Sequence, residues 1–425
     1  MLYLAPSLPL ATDHALLPSP FLGATSGQLV ATAPLATCEV CVVVPVRDEA
    51  ATLDDTLRAL ACQVDDKGRP LVHERYEIVL LANNCRDESA MVARRFAHAH
   101  RGLALHVVER TLPAEANVGH ARRLLMDEAY RRLTVVGRPR GVIASTDGDT
   151  VVAPTWIAAT LDEIARGADV VGGRIVVDNV GHMGMGMGAA YDRGVRRYHL
   201  RDVAYRLLVA AYEARLDPDP HDPWPRHHQH FGASLAVTIE TYQRAGGLPN
   251  VPMLEDMALI QVLRRLDARI RHSPSVQVVT SGRRDARARI GLATQLGEWA
   301  AMDRAGQPWL VESVSSLEQK LCARRALRQL WNVTQTGARP RERDVDALGN
   351  MLGLDRRWLS GVIARPTSYG VLIDAVERRQ AEEGLWTLDV VEITEAIADL
   401  RRRLGDPHYP MGRITEAVVR GSSLE

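Results

Sequence analysis

Lysine is almost missing from this chain of 425 residues, because Lys67 and Lys320 are the only two, although lysine and arginine together number 52. Aspartate and glutamate also number 52, so the net charge is zero and arginine supplies nearly all of the positive charge. This balance does not indicate a broadly basic face, and we expect no nucleic-acid partner. The shortage of lysine also disfavours any mechanism in which a lysine must assist the aspartates of the stretch STDGDT.

Cysteine is scarce as well, with five residues spread from Cys38 to Cys322. An odd and scattered set does not make a disulfide framework. Cys38 and Cys41 have the spacing of a zinc pair, but no second pair stands nearby, and residues three apart on a strand point to opposite faces. We therefore expect reduced core thiols in a cytoplasmic protein, with a zinc site as the lesser alternative.

Long apolar runs are also missing. Residues 1–37 are rich in Ala, Leu and Pro, but prolines interrupt each apolar run, and no lysine or arginine supplies the basic region of a secretory signal. We expect an irregular tail over 1–37, and neither a signal peptide nor a transmembrane segment. The expected location is cytoplasmic, with peripheral contact to a membrane as an option.

The chain does contain an alternation of short β-branched runs and amphipathic segments. Four runs predict strands, the first two of them buried, namely Val40–Val46, Tyr76–Asn83, Leu103–Arg110 and Gly141–Thr146. Segments with helical spacing separate them. Repeated βα units indicate an α/β fold with a mostly parallel central sheet and helices on both faces. From about Ala286 onward the pattern is helical and rich in arginine.

The stretch STDGDT places Asp147 and Asp149 directly after the fourth predicted strand. Residues two apart in an extended segment share a face, so both carboxylates can converge on one cation. Gly148 leaves room for a ligand to approach the backbone. Carboxylates completed by phosphate oxygens are a usual shell for Mg²⁺, and Mn²⁺ accepts the same ligands. Ligands of α/β sheets bind beyond the carboxyl ends of strands, which favours a metal site over a simple turn.

The same stretch is similar to the motif of haloacid-dehalogenase phosphatases, in which the first aspartate is a nucleophile and the second an acid. That mechanism also needs a downstream lysine to hold the phosphorylated aspartate. The only downstream lysine is Lys320, in a predicted helix of the C-terminal region. The motif also normally opens its domain, whereas three βα units precede it here. A phosphatase is therefore the weaker interpretation.

Six segments in order resemble the family 2 glycosyltransferases of the GT-A fold: VVVPVRDEAATLDDTLRALACQ, YEIVLLANNCRDES, ANVGHARRLL, ASTDGDT, FGASLAVTIETYQRAGGLP and MLEDMALIQVLRR. The resemblance runs from about Val40 to Arg284. It implies a Rossmann-like GT-A sheet, Mn²⁺ or Mg²⁺ as cofactor, and inverting transfer of a sugar. The donor would be a nucleotide-diphospho-sugar, a UDP- or GDP-sugar, and the acceptor a hydroxyl on a small molecule, lipid or glycan.

The resemblance also implies roles for individual residues. Asp149 would be the main metal ligand, and Asp147 would contact the ribose or, through water, the metal. Asp256 would be the general base, with Glu255 as its neighbour and a contact for the acceptor. The residues implied in nucleotide-sugar binding are Pro45, Val46, Arg47, Glu49, Asn83, Arg122, Asp147, Gly148, Arg283 and Arg284.

Several of these residues have a second interpretation. Acids in the first turn of a helix are favoured by its dipole, by about 0.3–1 kcal/mol, and this alone can explain Glu255 and Asp256. Arg122 can equally lie on a solvated helix face. His221, His227, His228 and His230 crowd a loop that we expect to line the acceptor cleft, with metal binding as the alternative.

The chain departs from the family pattern after the second predicted strand, where Ala82, Asn83 and Asn84 replace the usual acid. The carbonyl of Asn83 can still accept a hydrogen bond from a uracil or guanine ring N–H, so the nucleotide stays open. The Gln-x-x-Arg-Trp motif and the membrane helices of processive polysaccharide synthases are also missing. A single transfer is therefore expected.

The expected organisation is a tail over 1–37, a GT-A domain over 38–285 and a helical C-terminal extension over 286–425. The domain divides into a nucleotide-binding half, 38–150, and an acceptor half, 151–285. The Gly/Met-rich segment 181–188 is assigned no chemistry, and a homodimer through the extension is an option. The alternatives in function are a sugar-phosphate nucleotidyltransferase of related fold and a non-catalytic module that binds sugar nucleotides.

Overall fold

The computed structural model describes residues 27–113, 117–177, 193–282, 291–365, 367–385 and 389–405. The strands of its main sheet are β1 (Val40–Val46), β2 (Tyr76–Asn83), β3 (Ala104–Arg110), β4 (Val142–Ser145), β5 (Thr150–Val152), β6 (Val170–Val177), β7 (Leu235–Thr238) and β8 (Ile270–Thr280). They lie in the order β3-β2-β1-β4-β7-β6-β8-β5.

The helices of the α/β region are α1 (Leu53–Ala61), α2 (Ser89–Ala99), α3 (Val118–Val135), α4 (Trp156–Ala165), α5 (Arg193–Leu216), α6 (Ile239–Arg244) and α7 (Glu255–Arg265). The C-terminal helices are α8 (Leu292–Ala305), α9 (Val314–Gln335), α10 (Glu342–Leu352), α11 (Arg356–Ile363), α12 (Tyr369–Glu382) and α13 (Ile393–Leu404). A two-stranded antiparallel ribbon, β9 (Leu310–Glu312) with β10 (Val390–Glu392), lies among them.

Strands β1 to β4 pair in parallel, as the repeated βα units predict. Every residue of β1 and β2 is buried, because helices cover both faces of this part of the sheet. Alternate residues of β1 enter different cores: Val42 packs in the cluster that contains Leu57 of α1, and Val43 in the cluster that contains Leu125 of α3. The continuous apolar runs therefore predict buried parallel strands correctly.

Beyond β4 the sheet is mixed. Strand β7 runs antiparallel to both β4 and β6, and β5 runs antiparallel to β8. Strand β5 has three residues and follows the two aspartates directly, which the sequence pattern did not predict. The fold class expected from the sequence is confirmed, with these antiparallel strands added to the parallel half.

The C-terminal helices pack on the α/β region. Helix α5 shares a hydrophobic cluster with α8, α9 and α13, to which Tyr205, Trp299 and Leu400 belong. Helix α12 meets the end of α7 so closely that a Cβ on Gly370 would collide with the carbonyl of Arg264. No helix within the described ranges has the length and apolar character needed to cross a membrane.

Cys38 and Cys41 are both buried, free thiols in the same hydrophobic cluster. The expectation that they point to opposite faces was wrong, because β1 begins only at Val40 and the alternation does not reach Cys38. Burial raises the pKa of Cys38 to about 12. A protonated thiol is a poor metal ligand, which favours the core-thiol interpretation.

Candidate active site

One cleft of about 1830 Å³ opens at the carboxyl ends of β1, β2 and β4. It is lined by all the sequence-predicted site residues that the structure describes: Pro45, Val46, Arg47, Glu49, Asn83, Arg122, Asp147, Gly148, Asp149, Glu255 and Asp256. Arg283 and Arg284 lie outside the described residues, as does the segment 181–188. The chain thus brings residues from distant segments to one sheet edge, where α/β folds bind ligands.

Gly148 packs directly on the end of β1. A Cβ at this position would lie 3.0 Å from Val46 Cγ2 and 3.2 Å from Glu49 Cγ, and both distances are shorter than most Cβ contacts in proteins. The hydroxyl of Thr56 on α1 donates a hydrogen bond to the Gly148 carbonyl at 3.1 Å. A side chain at this position would force Val46 or Glu49 to shift, so glycine suits the close approach of the acidic turn to β1.

Three residues at this edge have left-handed backbone, a conformation that non-glycine residues rarely adopt. Asp48 (φ 56°) follows β1, Asn84 (φ 52°) follows β2, and Leu254 (φ 56°) precedes α7. Asp and Asn tolerate this conformation, whereas for Leu254 it stores strain. The Asn84 side chain exchanges hydrogen bonds with the backbone of Leu112 at 2.9 and 3.0 Å, which fixes the loop after β2.

Arg122 on α3 joins the two acidic motifs. Its guanidinium donates to Asp147 Oδ1 at 2.6 Å and to Glu255 Oε1. The side chain is buried, so the solvated-face interpretation was wrong. Burial disfavours its charge, but Asp147, Glu255 and Asp256 outweigh that effect and raise the pKa of Arg122. A Cβ on Gly232 would collide with this guanidinium, so the glycine before β7 makes room for it.

Glu255 and Asp256 both lie in the first turn of α7, but their surroundings differ. Glu255 is buried and held by Arg122. Asp256 is half-buried and accepts hydrogen bonds from the backbone N–H groups of Gly232 at 2.9 Å and Met257 at 2.8 Å. These bonds orient its carboxylate, while its open side faces the cleft. Both acids line the cleft, and Asp256 is the more exposed of the two.

The acidic turn fits a hard divalent cation. The Asp149 residue is 9% exposed and the Asp147 side chain 33% exposed, so one carboxylate is shielded and the other partly open to the cleft. Arg122 occupies Oδ1 of Asp147 and leaves its second oxygen for other contacts. Two carboxylates with the shell completed by phosphate oxygens suit Mg²⁺ or Mn²⁺.

A second acidic cluster is formed by Asp48, Cys85 and Asp87, whose ligand atoms lie within 4.8 Å of one another. Both carboxylates are already engaged with backbone: Asp48 accepts from Arg86 N–H at 2.6 Å, and Asp87 from Ala50 N–H at 2.9 Å. Burial raises the pKa of the Cys85 thiol. These contacts fasten the loops after β1 and β2 to each other.

The histidines of the loop before β7 line the cleft, as expected. His230 Nδ1 lies 3.1 Å from His272 Nε2, and His272 Nδ1 lies 2.8 Å from Asp222. Burial lowers the pKa of His227 to about 3 and moves the pKa values of His228 and His230 in the same direction. The imidazoles of His227, His228 and His230 are therefore neutral where they line the cleft. Among the described residues of this loop, no three side chains are grouped closely enough to hold a metal ion.

Sequence reasoning missed two features of the site. The ion pairs of Arg122 join residues 25 and 133 positions apart, and no local pattern signals them. The strained backbone of Leu254 was also missed, since leucine carries no preference for that conformation. The glycine of the FGAS segment, Gly232, was the available clue that a large side chain passes nearby.

Residues 41–207 match the family model described as glycosyl transferase family 2. The matched segment begins in β1, ends within α5 and is less than half of the chain, and it is similar to family 2 glycosyltransferases. A search of curated proteins finds no match.

Several solved structures are similar to the chain. One is the mannosyltransferase PcManGT from Pyrobaculum calidifontis in complex with GDP-Man and Mn²⁺, with 17% identity over 94% of this chain and 92% of that chain and a TM-score of 0.38. Another is S. aureus TarS 1–349 in complex with UDP-GlcNAc, with 14% identity, coverage of 81% and 92%, and a TM-score of 0.38. A third is M. tuberculosis glucosyl-3-phosphoglycerate synthase with Mn²⁺, UDP-Glc and phosphoglyceric acid, with 19% identity, coverage of 67% and 79%, and a TM-score of 0.32. Similarity at this level establishes no substrate for the present chain.

Proposed function

We propose that this protein is a metal-dependent, inverting glycosyltransferase that moves one sugar from a nucleoside-diphosphate sugar to a hydroxyl acceptor. The observation that carries the proposal is the bridge from Asp147 through Arg122 to Glu255. It joins the acidic turn after β4 to the first turn of α7, and both line one cleft. Asp149 and Asp256 are close in sequence to the two ends of this bridge, which supports them as the metal ligand and the base.

On the donor side, Asp149 and the second oxygen of Asp147 would hold Mg²⁺ or Mn²⁺. When bound, the cation supplies Lewis-acid stabilisation of the negative charge on the departing diphosphate. Pro45 to Glu49, at the end of β1, and Asn83, at the end of β2, would contact the nucleoside. A guanine or uracil ring N–H can donate to the Asn83 carbonyl, which supports GDP- and UDP-sugars as the donors to test first.

On the acceptor side, Asp256 would take the proton of the attacking hydroxyl. The acceptor oxygen forms a bond to the anomeric carbon as the bond from that carbon to the diphosphate oxygen breaks on the opposite face. One displacement of this kind inverts the anomeric centre. A general base contributes about 10²–10⁴-fold to such a step.

Arg122 would act as a positioning residue. It neutralises Asp147 and Glu255, so that two carboxylates can lie near the donor diphosphate with less repulsion. Because Glu255 is held in this ion pair, the proton-accepting role falls to Asp256. Single transfer, a cytoplasmic location and a homodimer remain predictions.

The test is a thermal-shift panel of UDP-, GDP- and dTDP-sugars with and without Mn²⁺. We expect one nucleotide class to raise the melting temperature only with Mn²⁺. At a ligand concentration of 100 Kd, binding should increase the free energy of unfolding by about 2.7 kcal/mol. Asp149→Ala should abolish that stabilisation. Asp162→Ala, which removes an exposed acid of α4, is the matched control and should retain it. No metal-dependent stabilisation of the wild type by any donor would overturn the proposal.

A further inference from the structure

The cleft does not end at Asp256 but continues along α7. Met257, Gln261 and Arg264 are spaced four and three residues apart, so they share one face of this helix, and all three line the cleft. From Asp256 to Arg264 the helix rises about 12 Å. We call the region around Arg264 the distal end; its other lining residues include Arg324, Tyr369 and Glu377.

The arginines around the distal end have protein partners in most cases. Arg324 and Arg328 of α9 both bind Asp217, at 2.8 and 3.0 Å. Arg265 of α7 pairs with Asp374 of α12. These ion pairs join the C-terminal helices to the α/β region, and each of these arginines is paired with an aspartate.

Arg264 differs from these neighbours. Within the described residues its guanidinium makes no hydrogen bond and no ion pair, and the residue is exposed where it lines the cleft. Burial lowers the pKa of Arg264, and the charge of Arg324 lowers it further. A guanidinium that lines a cleft, lies near another cation and has no acidic partner is available to bind an anion.

Three acids act on Arg264 from a distance: Glu213, Glu377 and Asp374. Glu213 is bound to Arg226 at 3.1 Å, and Asp374 is held by Arg265. Glu377 alone has no ion pair or hydrogen bond within the described residues. Burial and the charge of Asp374 raise the pKa of Glu377, although Arg324, Arg264 and Lys320 act in the opposite direction.

We infer that the acceptor carries an anionic group, a phosphate or a carboxylate, which Arg264 binds at the distal end while the acceptor hydroxyl lies at Asp256. The inference rests on the proposed function for its acceptor role. Cα–Cβ bonds on a helix tilt toward its N-terminus, so the Arg264 side chain leaves the helix in the direction of Asp256. Arginine binds both kinds of anion through paired N–H donors. Gln261 lies between the two positions and can bind a further hydroxyl of the same molecule.

The test measures binding of inorganic phosphate, and in a second arm of acetate, to the full chain saturated with Mn²⁺ and UDP or GDP. The nucleotide fills the donor end, so an anion that still binds does so elsewhere in the cleft. We expect saturable binding of at least one of the two anions to the wild type, weakened about tenfold or more in Arg264→Gln. Glu377→Gln, which removes the opposing carboxylate, should strengthen it.

The control is Arg166→Gln, which removes an exposed arginine that follows α4 directly and should leave anion binding unchanged. Equal binding by Arg264→Gln and the wild type would overturn the inference, as would an anion that competes with the nucleotide. Failure of the proposed function is a separate result, seen as a lack of nucleotide binding. In that case the anion titration without nucleotide still decides whether Arg264 forms an anion site.

Discussion

Two arginines in the same cleft have opposite surroundings. Arg122, at the donor end, is buried between Asp147 and Glu255, and these acids raise its pKa. Arg264, at the distal end, has no ion pair within the described residues, and burial lowers its pKa. A guanidinium that the protein neutralises holds other groups in place. One that the protein leaves unpaired in a cleft is available to a ligand.

The comparison predicts different costs for removing each charge. The largest effect is expected for Arg122→Gln, since it leaves Asp147 and the buried Glu255 without their cation, a loss of about 3–5 kcal/mol in the free energy of unfolding. Chemical denaturation measures this directly. The matched control is Arg123→Gln on the same helix, whose side chain is 35% exposed and 3.7 Å from Asp127, and should cost less than about 1 kcal/mol. Equal losses in the two variants would contradict the bridging role.

A third arginine sharpens the comparison because it lies away from the cleft. Arg132 is fully buried and donates to Glu77 Oε1 at 2.8 Å. Burial alone would raise the pKa of Glu77, but Arg132 and His106 outweigh it and lower the pKa to about 2. The pair therefore stabilises the fold fully above the ordinary pKa of 4.5, and the contribution is lost as pH falls toward 2.

Glu77→Gln tests this. At neutral pH the variant should lose roughly 3 kcal/mol of unfolding free energy relative to the wild type. The difference should shrink as pH falls from 4.5 toward 2, because Glu77 becomes protonated in the wild type as well. Unfolding free energies at several pH values give the measurement, and a difference independent of pH would show that the ion pair contributes little.

The smallest effect on stability is expected at Arg264. Arg264→Gln breaks no ion pair within the described residues and relieves repulsion with Arg324, so the free energy of unfolding should change by less than about 0.5 kcal/mol. A fall of the size expected for Arg122→Gln would show that Arg264 has a structural partner, and it would remove the contrast between the two ends of the cleft.

Much of the fold could be predicted because the signals are local. The β-branched runs at Val40–Val46 and Tyr76–Asn83 are buried on both faces, so their apolar character is continuous and visible. The β5 strand has three residues and owes its existence to pairing with β8, more than a hundred positions away. The β9–β10 ribbon was missed for the same reason, since a short strand depends on its partner.

The positions of the acids that line the cleft could be predicted from the sequence, whereas the contacts of the arginines could not. Asp147 and Asp149 follow a strand, and Asp256 begins a helix, so their positions follow from the order of elements. Whether an arginine on a helix faces solvent, a carboxylate or an open cleft depends on residues far along the chain. Arg122 was therefore ambiguous, and Arg264 carried no signal in the sequence.

The central claim is that Asp256 accepts the proton of the acceptor hydroxyl while the donor binds at Asp149, and Asp256→Asn tests it most directly. With Mn²⁺ and the sugar nucleotide that stabilises the wild type, donor affinity and the rate of sugar transfer are measured for both proteins. The account predicts donor affinity close to that of the wild type, with transfer about 10²–10⁴-fold slower. Transfer at the wild-type rate would contradict it, and Asp256 would then have no part in the chemistry.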